Sequence, residues 1–593
     1  MPHRFVLLLV AVSVASQLFA QNSPAQTTMA SATTFDGPAR LPIATVATLM
    51  ADTPASGSVI TVSGGGDLQA ALNSVQCGDT IQLQAGATFT GRFRFPALHC
   101  DSQHWIIVRT SAPDSALPQE GQRVSPCYAG VASLLGRPQF ACANPTNVLA
   151  RLVAISIMGP VIFQSGANHY RLMGLEIARM EGSNSAIALM SVEVGGQADH
   201  IVLDRSWLHG NSTDETRVGV RLSGMRSVGI VDSYFTDFHC TSIVGGCIES
   251  HAVGGGAGDH PGGPYKIENN FLEASGENII FGGAQATTTP TDITIRFNHF
   301  FKPWQWMKGN SPFQGGASGK PFIVRHALEL KNASRVLVEN NLIDNVWGGF
   351  GEKGTAVLLD PKNQYNLCPM CKVTDVTIRY TRISHAGGGF EIETGLSDAG
   401  GSAKAGARFS IHDVVLDDIS KKYQGAGRLF FVGNSWLNNP LHAVNVSHIT
   451  GFPDPDAGIL ALHNLISNPE MSGFVFINNL VTTGKYPVWN GQDGPASCAY
   501  GNVPAVSLKS CFTSYRFANN ALIADPSQYP ASSWPDGNLF APNMQGVRFV
   551  RSTSSMAGPY QLQANSPYKN CGTDGKDLGA DIVGLNEALK GVE

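Results

Sequence analysis

The feature that most limits how this chain can fold is a short motif that returns along most of its length. In each copy a small polar pair stands directly before an apolar pair, as in Ile267-Glu-Asn-Asn-Phe-Leu272. The last apolar residues of successive copies are separated by roughly 27 to 42 residues, a period typical of solenoids. These residues are Leu208, Phe235, Leu272, Phe301, Ile343, Ile383, Leu416, Ile449, Val481 and Leu522. The repetition predicts a stack of short-stranded coils.

A polar column accompanies the repeat. In eight copies a small polar residue lies two positions before the last apolar one: Ser206, Ser233, Asn270, Asn341, Thr381, Ser447, Asn479 and Asn520. Equivalent residues of stacked parallel strands form ladders about 4.8 Å apart, so such a column can satisfy buried backbone groups from coil to coil. Unrelated β-sandwich strands are the alternative. The constant register favours an all-β, right-handed parallel β-helix solenoid.

The chain divides into three predicted regions. Residues 1–20 have a basic start, an apolar run and a small residue at the end, which predicts a signal peptide. Residues 21–56 are expected to be a disordered linker, and residues 57–593 to form the β-helix. Solenoid ends need covering. The helical spacing of Asp67–Asn73 predicts an N-terminal cap helix, and residues 560–580 are expected to close the other end.

The charge balance does not favour binding to nucleic acid or to a membrane surface. Charged residues make up 14% of the chain and the net charge is −5, which provides no basic footprint for nucleic acid or an anionic membrane. We expect a secreted or periplasmic monomer with no membrane insertion.

Eleven cysteines suit an exported protein. Several cysteines lie close together in sequence: Cys77 and Cys100, Cys127 and Cys142, Cys240 and Cys247, Cys368 and Cys371, and Cys498 and Cys511. Disulfides between near neighbours are the favoured interpretation, and the sequence leaves the pairing itself open. Cys571 is left over. A zinc or redox role for the single Cys-Pro-Met-Cys segment is the weaker alternative, because no second pair accompanies it.

The sequence resembles secreted bacterial right-handed β-helix proteins of the pectin-lyase-like superfamily. Gly66-Asp-Leu-Gln-Ala-Ala-Leu72, Gly78-Asp-Thr-Ile81 and the coils containing Glu-Asn-Asn carry this resemblance from about Gly57 onward. Residues 267–278 and Leu328-Glu-Leu-Lys-Asn332 look like one soil-bacterial branch. The superfamily holds lyases, hydrolases, esterases, epimerases and adhesins, so the fold alone does not select an activity. The chain lacks the WIDH segment of pectate lyases and the NTD, GHG and RIK elements of polygalacturonase-like hydrolases.

Strand alternation predicts a charged strip on one outer face. In Leu328–Lys331 the leucines should point inward, which turns Glu329 and Lys331 outward. The same alternation places Glu391 and Glu393 outside. Asp360 is expected on the coil between the Glu329 strand and the Glu391 strand. Glu249 and His251 are expected on the same face farther along the solenoid.

Carboxylates this close repel one another unless a proton, a cation or a lysine neutralises them. A Ca²⁺ ion, which takes oxygen ligands at about 2.3–2.6 Å, is one solution. The predicted metal ligands are Glu329, Asp360, Glu391 and Glu393. The alternative is a solvated face with a surface salt bridge to Lys331.

A segment with two tryptophans precedes this strip. Trp304 and Trp306 stand between Lys302 and Lys308, and the segment opens a polar insertion that runs to residue 320. Aromatic rings flanked by lysines suit stacking on sugar rings and binding of uronate carboxylates. We therefore expect these four residues to contact substrate. Packing of the tryptophans over the edge of a coil is the alternative.

These features together favour a polysaccharide lyase that acts by β-elimination on a uronic-acid polymer. Lys331 resembles, by its place after a strand-borne glutamate, the base of calcium-dependent β-helix lyases acting on alginate or dermatan. The resemblance implies that Lys331 and Glu329 are catalytic, with His251 and Arg325 as further candidates. A glycoside hydrolase with paired carboxylates and a non-catalytic glycan-binding adhesin remain the alternatives.

Overall fold

The coils of a parallel β-helix account for nearly all of the residues that the structure describes. The structure is a computed structural model and describes residues 34–154, 158–182, 188–258, 260–317, 319–395, 399–434, 439–491, 494–501, 503–525, 527–550 and 560–593. In this part of the chain almost every strand pairs in parallel with the equivalent strand of the next coil.

One wall of the solenoid is a sheet of 12 described strands, here called the outer sheet, which carries the candidate site. Its strands are Phe93–Phe95, Val161–Phe163, Met190–Val192, Val218–Arg221, His251–Gly255, Glu277–Phe281, Leu328–Leu330, Thr355–Leu359, Gly388–Thr394, Phe430–Asn434, Leu460–Asn464 and Val488–Asn490. They stack in sequence order, so each coil contributes one strand.

The remaining walls form one sheet of 25 described strands, the second sheet. Its strands are Val59–Val62, Thr80–Leu83, Thr88–Thr90, Ile106–Thr110, Ala150–Ala154, Asn168–Met173, Leu175–Arg179, Ala198–Asp204, Trp207–His209, Met225–Val231, Tyr234–Phe238, Tyr265–Glu268, Phe271–Ala274, Thr291–Arg296, His299–Phe301, Ala333–Glu339, Leu342–Val346, Val373–Ala386, Ala407–Ile419, His442–Gly451, Met471–Ile477, Leu480–Thr482, Phe512–Ala518, Ala521–Ile523 and Leu539–Ala541. Two stacks merge into this sheet where strands such as Val373–Ala386 run continuously through a bend.

Helices and hairpins are minor elements. The α-helices are Leu68–Ser74, Pro504–Cys511, Met544–Val547 and Ile582–Ala588, and the short antiparallel strands are Phe35–Asp36, Ala39–Arg40, Gly348–Gly349 and Glu352–Lys353. Single 3₁₀ turns occur at Met50–Asp52, Asp114–Ala116, Pro126–Tyr128, Trp304–Trp306, Gln364–Asn366, Lys421–Tyr423, Gly494–Ala496 and Ala531–Ser533. The predicted cap helix is present at Leu68–Ser74, where the Asp67 side chain accepts a hydrogen bond from Ala70 N at 2.9 Å.

The core runs down the centre of the coils. Alternate residues of each strand point inward, and the buried cluster continues from the first coil, with Leu68, to the last, with Leu522. The predicted right-handed parallel β-helix is therefore confirmed.

The predicted polar column forms a hydrogen-bonded ladder from Ser206 to Asn341 and a second one from Asn479 to Asn520. Thr381 and Ser447 do not join the two ladders, and Ser447 pairs with Ile477, not with Asn479. Ser233 N donates to Asn270 Oδ1 at 2.9 Å, Asn270 N donates to Asn298 Oδ1 at 2.9 Å, and Asn298 N donates to Asn341 Oδ1 at 2.9 Å. Asn298 was missing from the predicted column because its copy was aligned on Phe301. The strand pairing aligns Phe300, not Phe301, with Ile343.

The predicted linker boundary differs from the structure. Residues 1–33, which include the predicted signal peptide, lie outside the described residues. Residues 34–56, expected to be disordered, instead run along the outside of the coils. Asp36 contacts Arg379 and His412, and Ile43 N donates to Asp292 Oδ1 at 2.9 Å. These side-chain contacts fix a segment that has no hydrophobic periodicity of its own.

Five disulfides are present, Cys77–Cys100, Cys127–Cys142, Cys240–Cys247, Cys368–Cys371 and Cys498–Cys511, and each joins near neighbours in sequence. Cys571 is a free cysteine. No helix among the described residues has both the length and the apolar character needed to cross a membrane.

Replacing Asn298 with alanine should lower the stability of the β-helix. Asn298 is fully buried, and its side chain accepts from Asn270 N and Nδ2 while donating to Ile267 O. Its removal leaves buried donors unsatisfied, which costs about 1–3 kcal/mol. We expect a lower urea midpoint for Asn298→Ala and an unchanged one for the exposed control Gln197→Ala. Equal midpoints would contradict a stabilising role for the ladder.

Candidate active site on the outer sheet

The outer face of the outer sheet carries charged side chains in vertical register. Arg221 pairs with Gly254, Ile280 pairs with Glu329, and Leu358 pairs with Glu391 on successive strands. These residues alternate with core residues, which turns them toward the outside. The strand register therefore places Glu329 and Glu391 on a common outer face, as predicted.

Glu329 and Lys331 form an ion pair on this face. Both side chains are largely covered, at 2% and 16% exposure. Although burial opposes both charges, the Lys331 ammonium holds the pKa of Glu329 well below its usual range, and Glu329 holds the pKa of Lys331 well above its usual range. The structure thus brings the two predicted catalytic residues together, with the lysine protonated.

A second group lies directly beside this pair. His251 Nδ1 stands 2.9 Å from Glu277 Oε2, on neighbouring strands in register. The two atoms are close but not aligned for a hydrogen bond, so both Glu277 oxygens are buried without a hydrogen-bond partner. Burial, together with the nearby Glu249 and Glu329 carboxylates, raises the pKa of Glu277 well above its usual range. Burial lowers the pKa of His251 to about 3, so its imidazole is neutral at pH 7.

A groove of about 430 Å³ opens in front of His251. Its lining includes Arg217, Arg221 and Glu249. Among the described residues, no carboxylate lies within ion-pair distance of either arginine, and only Gly246 O, at 3.4 Å, accepts a hydrogen bond from Arg217. Burial lowers the pKa of both guanidinium groups, but arginine stays charged in proteins. Two guanidinium groups without a carboxylate at ion-pair distance therefore face one groove, although Glu249 and Glu277 lie near enough to Arg217 to favour its charge.

The other predicted catalytic residue, Arg325, is held in ion pairs. Its Nε donates to Glu249 Oε1 at 3.2 Å, and its Nη1 lies 3.7 Å from Glu352 Oε1. Glu352 also approaches His326, whose pKa it helps to raise to about 9 against the opposing effect of burial. Arg325 fixes Glu249 at the rim of the groove.

The four predicted calcium ligands do not assemble into one site. Two strand steps, about 9.6 Å, separate Glu329 from Glu391, and Leu358 lies between them. No three of the four predicted ligands bring oxygens within 4.8 Å of one another. Asp360 is buried, which raises its pKa to about 6, and Glu393 lies 3.7 Å from His463 Nδ1. Calcium binding by these four residues stays a prediction.

The tryptophan segment packs against the coils, which corrects the predicted sugar platform for Lys302 and Trp306, whereas Trp304 stays a predicted substrate contact. Lys302 is completely buried, and its Nζ donates to the carbonyls of residues 274–276. Trp306 is buried against Phe322, and the half-buried Trp304 stacks on Tyr423 at 5.0 Å. The segment closes the edge of the coils because its aromatic rings find apolar partners there. Lys308 is exposed and stays a predicted substrate contact.

Two groups of described residues place three potential metal ligands within 4.8 Å of one another: Glu249, His251 and Glu277, and His169, Asp199 and His200. In the second group the two imidazole rings are stacked at 4.4 Å with an interplanar angle of 4°. Parallel rings cannot both direct a nitrogen lone pair at one ion. The first group mixes nitrogen with carboxylate oxygen, a donor set suited to Zn²⁺ more than to Ca²⁺.

Sequence reasoning missed Arg217, Arg221 and Glu277. Arg221 could have been found, because it lies on an alternating strand, Val218–Arg221, that faces outward. Glu277 follows the loop of a Glu-Asn-Asn coil, and nothing in the local pattern shows that it turns toward His251.

A scan against protein-family models and a search of curated proteins both give no match. Among solved structures, the chain is similar to a mannuronic acid specific polysaccharide family 6 lyase from human gut microbiota, at 12% identity and a TM-score of 0.48, over 82% of this chain and 92% of that one. It is also similar to an alginate lyase from Paenibacillus sp. str. FPU-7, at 15% identity and a TM-score of 0.33, over 69% and 98%. A family 28 exopolygalacturonase from Yersinia enterocolitica gives 9% identity and a TM-score of 0.35, over 82% and 78%.

Replacing Glu391 with glutamine should stabilise the protein at alkaline pH relative to acidic pH. Burial and the adjacent Glu393 raise the pKa of Glu391 from 4.5 to about 8. Between these values the folded state holds a proton that the unfolded state has lost, so this group reduces stability as pH rises. The melting temperature of Glu391→Gln minus that of the wild type should therefore increase from pH 5 to pH 9.

Glu352→Gln is the matched control for this measurement. The pKa of Glu352 is lowered by His326 and Arg325 despite burial, so its charged form stabilises the fold above its unfolded pKa. Between pH 5 and pH 9 Glu352 is ionised in both the folded and the unfolded state, so its difference from the wild type should stay constant over this range. If the difference for Glu391→Gln is also constant, folding does not raise the pKa of Glu391.

Proposed function

We propose that this protein is an exported polysaccharide lyase that cleaves an acidic polysaccharide by β-elimination in the groove of the outer sheet. The observation that carries this proposal is the pair of arginines, Arg217 and Arg221, which lack a carboxylate partner and face the same groove as the neutral His251. A bound uronate would supply the missing negative charge.

Each group has a chemical role in this reaction. The guanidinium groups of Arg217 and Arg221 bind the uronate carboxylate and disperse its charge, which acidifies the neighbouring C5–H bond. His251 accepts the C5 proton, since its imidazole is neutral and Nδ1 faces Glu277, which leaves Nε2 for the groove. The C–H electrons form the C4–C5 double bond as the C4–O bond breaks.

Lys331 has a different role from the one that its resemblance implied. Its pKa is raised by Glu329, so it is protonated and cannot serve as the proton acceptor. Lys331 lies at the edge of the groove. Its Nζ is 4.0 Å from the position that a Cβ atom would occupy at Gly283, a residue of the groove lining. A protonated amine in this place can give its proton to the departing C4 oxygen.

Calcium binding by Glu329, Asp360, Glu391 and Glu393 stays a prediction that this proposal does not use. Dialysis against a chelator distinguishes neutralisation of the substrate carboxylate by Ca²⁺ from neutralisation by the two arginines. The arginine-based reaction should continue after dialysis, whereas restoration of lost activity by added Ca²⁺ would show that the cation neutralises the substrate carboxylate instead.

The central test is the activity of His251→Ala and Arg221→Ala on a panel of polyuronates and neutral glycans. Product is followed by ultraviolet absorbance of the new double bond and by reducing ends. Loss of the proton acceptor in His251→Ala should lower kcat by about 10²–10⁴-fold. Arg221→Ala should lower kcat/KM on polyuronates only, and the exposed control His104→Ala should match the wild type.

The alternatives give different outcomes in the same assay. Reducing ends without absorbance would indicate a hydrolase, and binding without cleavage would indicate a glycan-binding protein. Wild-type activity in His251→Ala would exclude His251 as the base.

A further inference from the structure

The outer face of the outer sheet changes character toward its C-terminal end. Along the register column, Glu391 is followed by Phe431, then Ala461, then Trp489. The charged strip thus continues into an apolar one on the same face. Strand Val488–Asn490 is the last described strand of this sheet.

Trp489 lies within a cluster of partly exposed aromatic rings. The ring of Tyr486 is 5.4 Å away and that of Tyr500 is 6.5 Å away, each at 44° to the indole. The two tyrosines are 39% and 47% exposed, and Trp489 is half-buried. Large rings that remain this open at one end of a solenoid are unusual for a coil that only closes a core.

A cation completes the cluster. Lys485 Nζ lies 5.5 Å from the centre of the Tyr486 ring. In the described part of the chain no carboxylate stands within ion-pair distance of this ammonium group. Aromatic faces that can stack on a sugar ring, beside an ammonium that can bind a carboxylate, form a combination suited to an acidic sugar.

We propose that Tyr486, Trp489, Tyr500 and Lys485 form a distal subsite for the acidic polysaccharide that the groove cleaves. The proposal rests on the proposed function for the position of the cleavage site, but its binding chemistry is independent of it. Seven strand-to-strand steps of about 4.8 Å, roughly 34 Å, separate the His251 strand from the Trp489 strand on one continuous face. A polymer lying along the solenoid axis can occupy both places, whereas a short oligosaccharide can occupy only one.

The inference has a kinetic consequence. Binding energy from the distal subsite is available only to chains long enough to reach it from the groove. The enzyme should therefore prefer polymers to oligosaccharides. Loss of the subsite should raise KM for the polymer and leave kcat unchanged, because the subsite touches no reacting atom.

The test measures binding and turnover in Trp489→Ala. Binding of polygalacturonate and alginate, each as polymer and as short oligosaccharides, is measured by affinity electrophoresis in the presence of a chelator. We expect Trp489→Ala to bind the preferred polymer at least about fivefold more weakly. Its turnover of short oligosaccharides, which cannot reach the subsite from the groove, should be unchanged. Phe540→Ala, which removes a 38% exposed ring on the second sheet, is the matched control.

The outcomes separate this proposal from the proposed function. Equal polymer binding by Trp489→Ala and Phe540→Ala, in proteins with the wild-type melting temperature, overturns the distal subsite while leaving the groove chemistry intact. Weaker polymer binding by Trp489→Ala without any unsaturated product from the wild type supports the subsite and removes the lyase proposal. Equal binding of neutral glucans and polyuronates would exclude an acidic ligand and overturn the assignment of Lys485. A Lys485→Ala variant that binds polyuronate as tightly as the wild type would do the same.

Discussion

Hydrogen bonding from coil to coil is the constraint on which the rest of the molecule depends. The backbone pairs strand to strand in parallel register, and the ladder through Asn270, Asn298 and Asn341 repeats that register with side chains inside the turns. A slip of one residue would turn every outward side chain inward. The convergence of Arg221, Glu329 and the other outer-sheet residues on one face exists only because this register is kept.

The electrostatics of the candidate site follow from the position of charged side chains on adjacent strands of the outer sheet, here called rungs. Rungs about 4.8 Å apart let charges on neighbouring strands interact strongly, and they keep charges two rungs apart from sharing one ion. Glu277 and Glu329, on neighbouring strands, show the first consequence, since one is driven toward its protonated form and the other toward its ionised form. The groove presents two guanidinium groups, those of Arg217 and Arg221, and no carboxylate of the described residues lies at ion-pair distance from either.

Sequence reasoning predicted the solenoid, the cap helix, the disulfides and the outward direction of Glu329. These features depend on periodicity and on neighbours in the chain, which a sequence displays directly. It did not predict that Lys302 would be buried against backbone carbonyls, or that Glu277 would meet His251. Such contacts depend on how loops of different coils fold over one another, and the insertion lengths between copies of the repeat carry no signal of that. The protonated state of Lys331 comes from its contact with Glu329, which outweighs the opposing effect of burial.

The segment of residues 34–56 also bears on how the chain reaches its final form. Asp36 contacts Arg379 and His412, so this segment cannot dock until the coils that contain those residues have been built. A solenoid can grow one coil at a time by adding each new strand to the previous one, with contacts that are local in sequence. Residues 34–56 must therefore be among the last to dock. Their docking joins coils that otherwise contact only their neighbours.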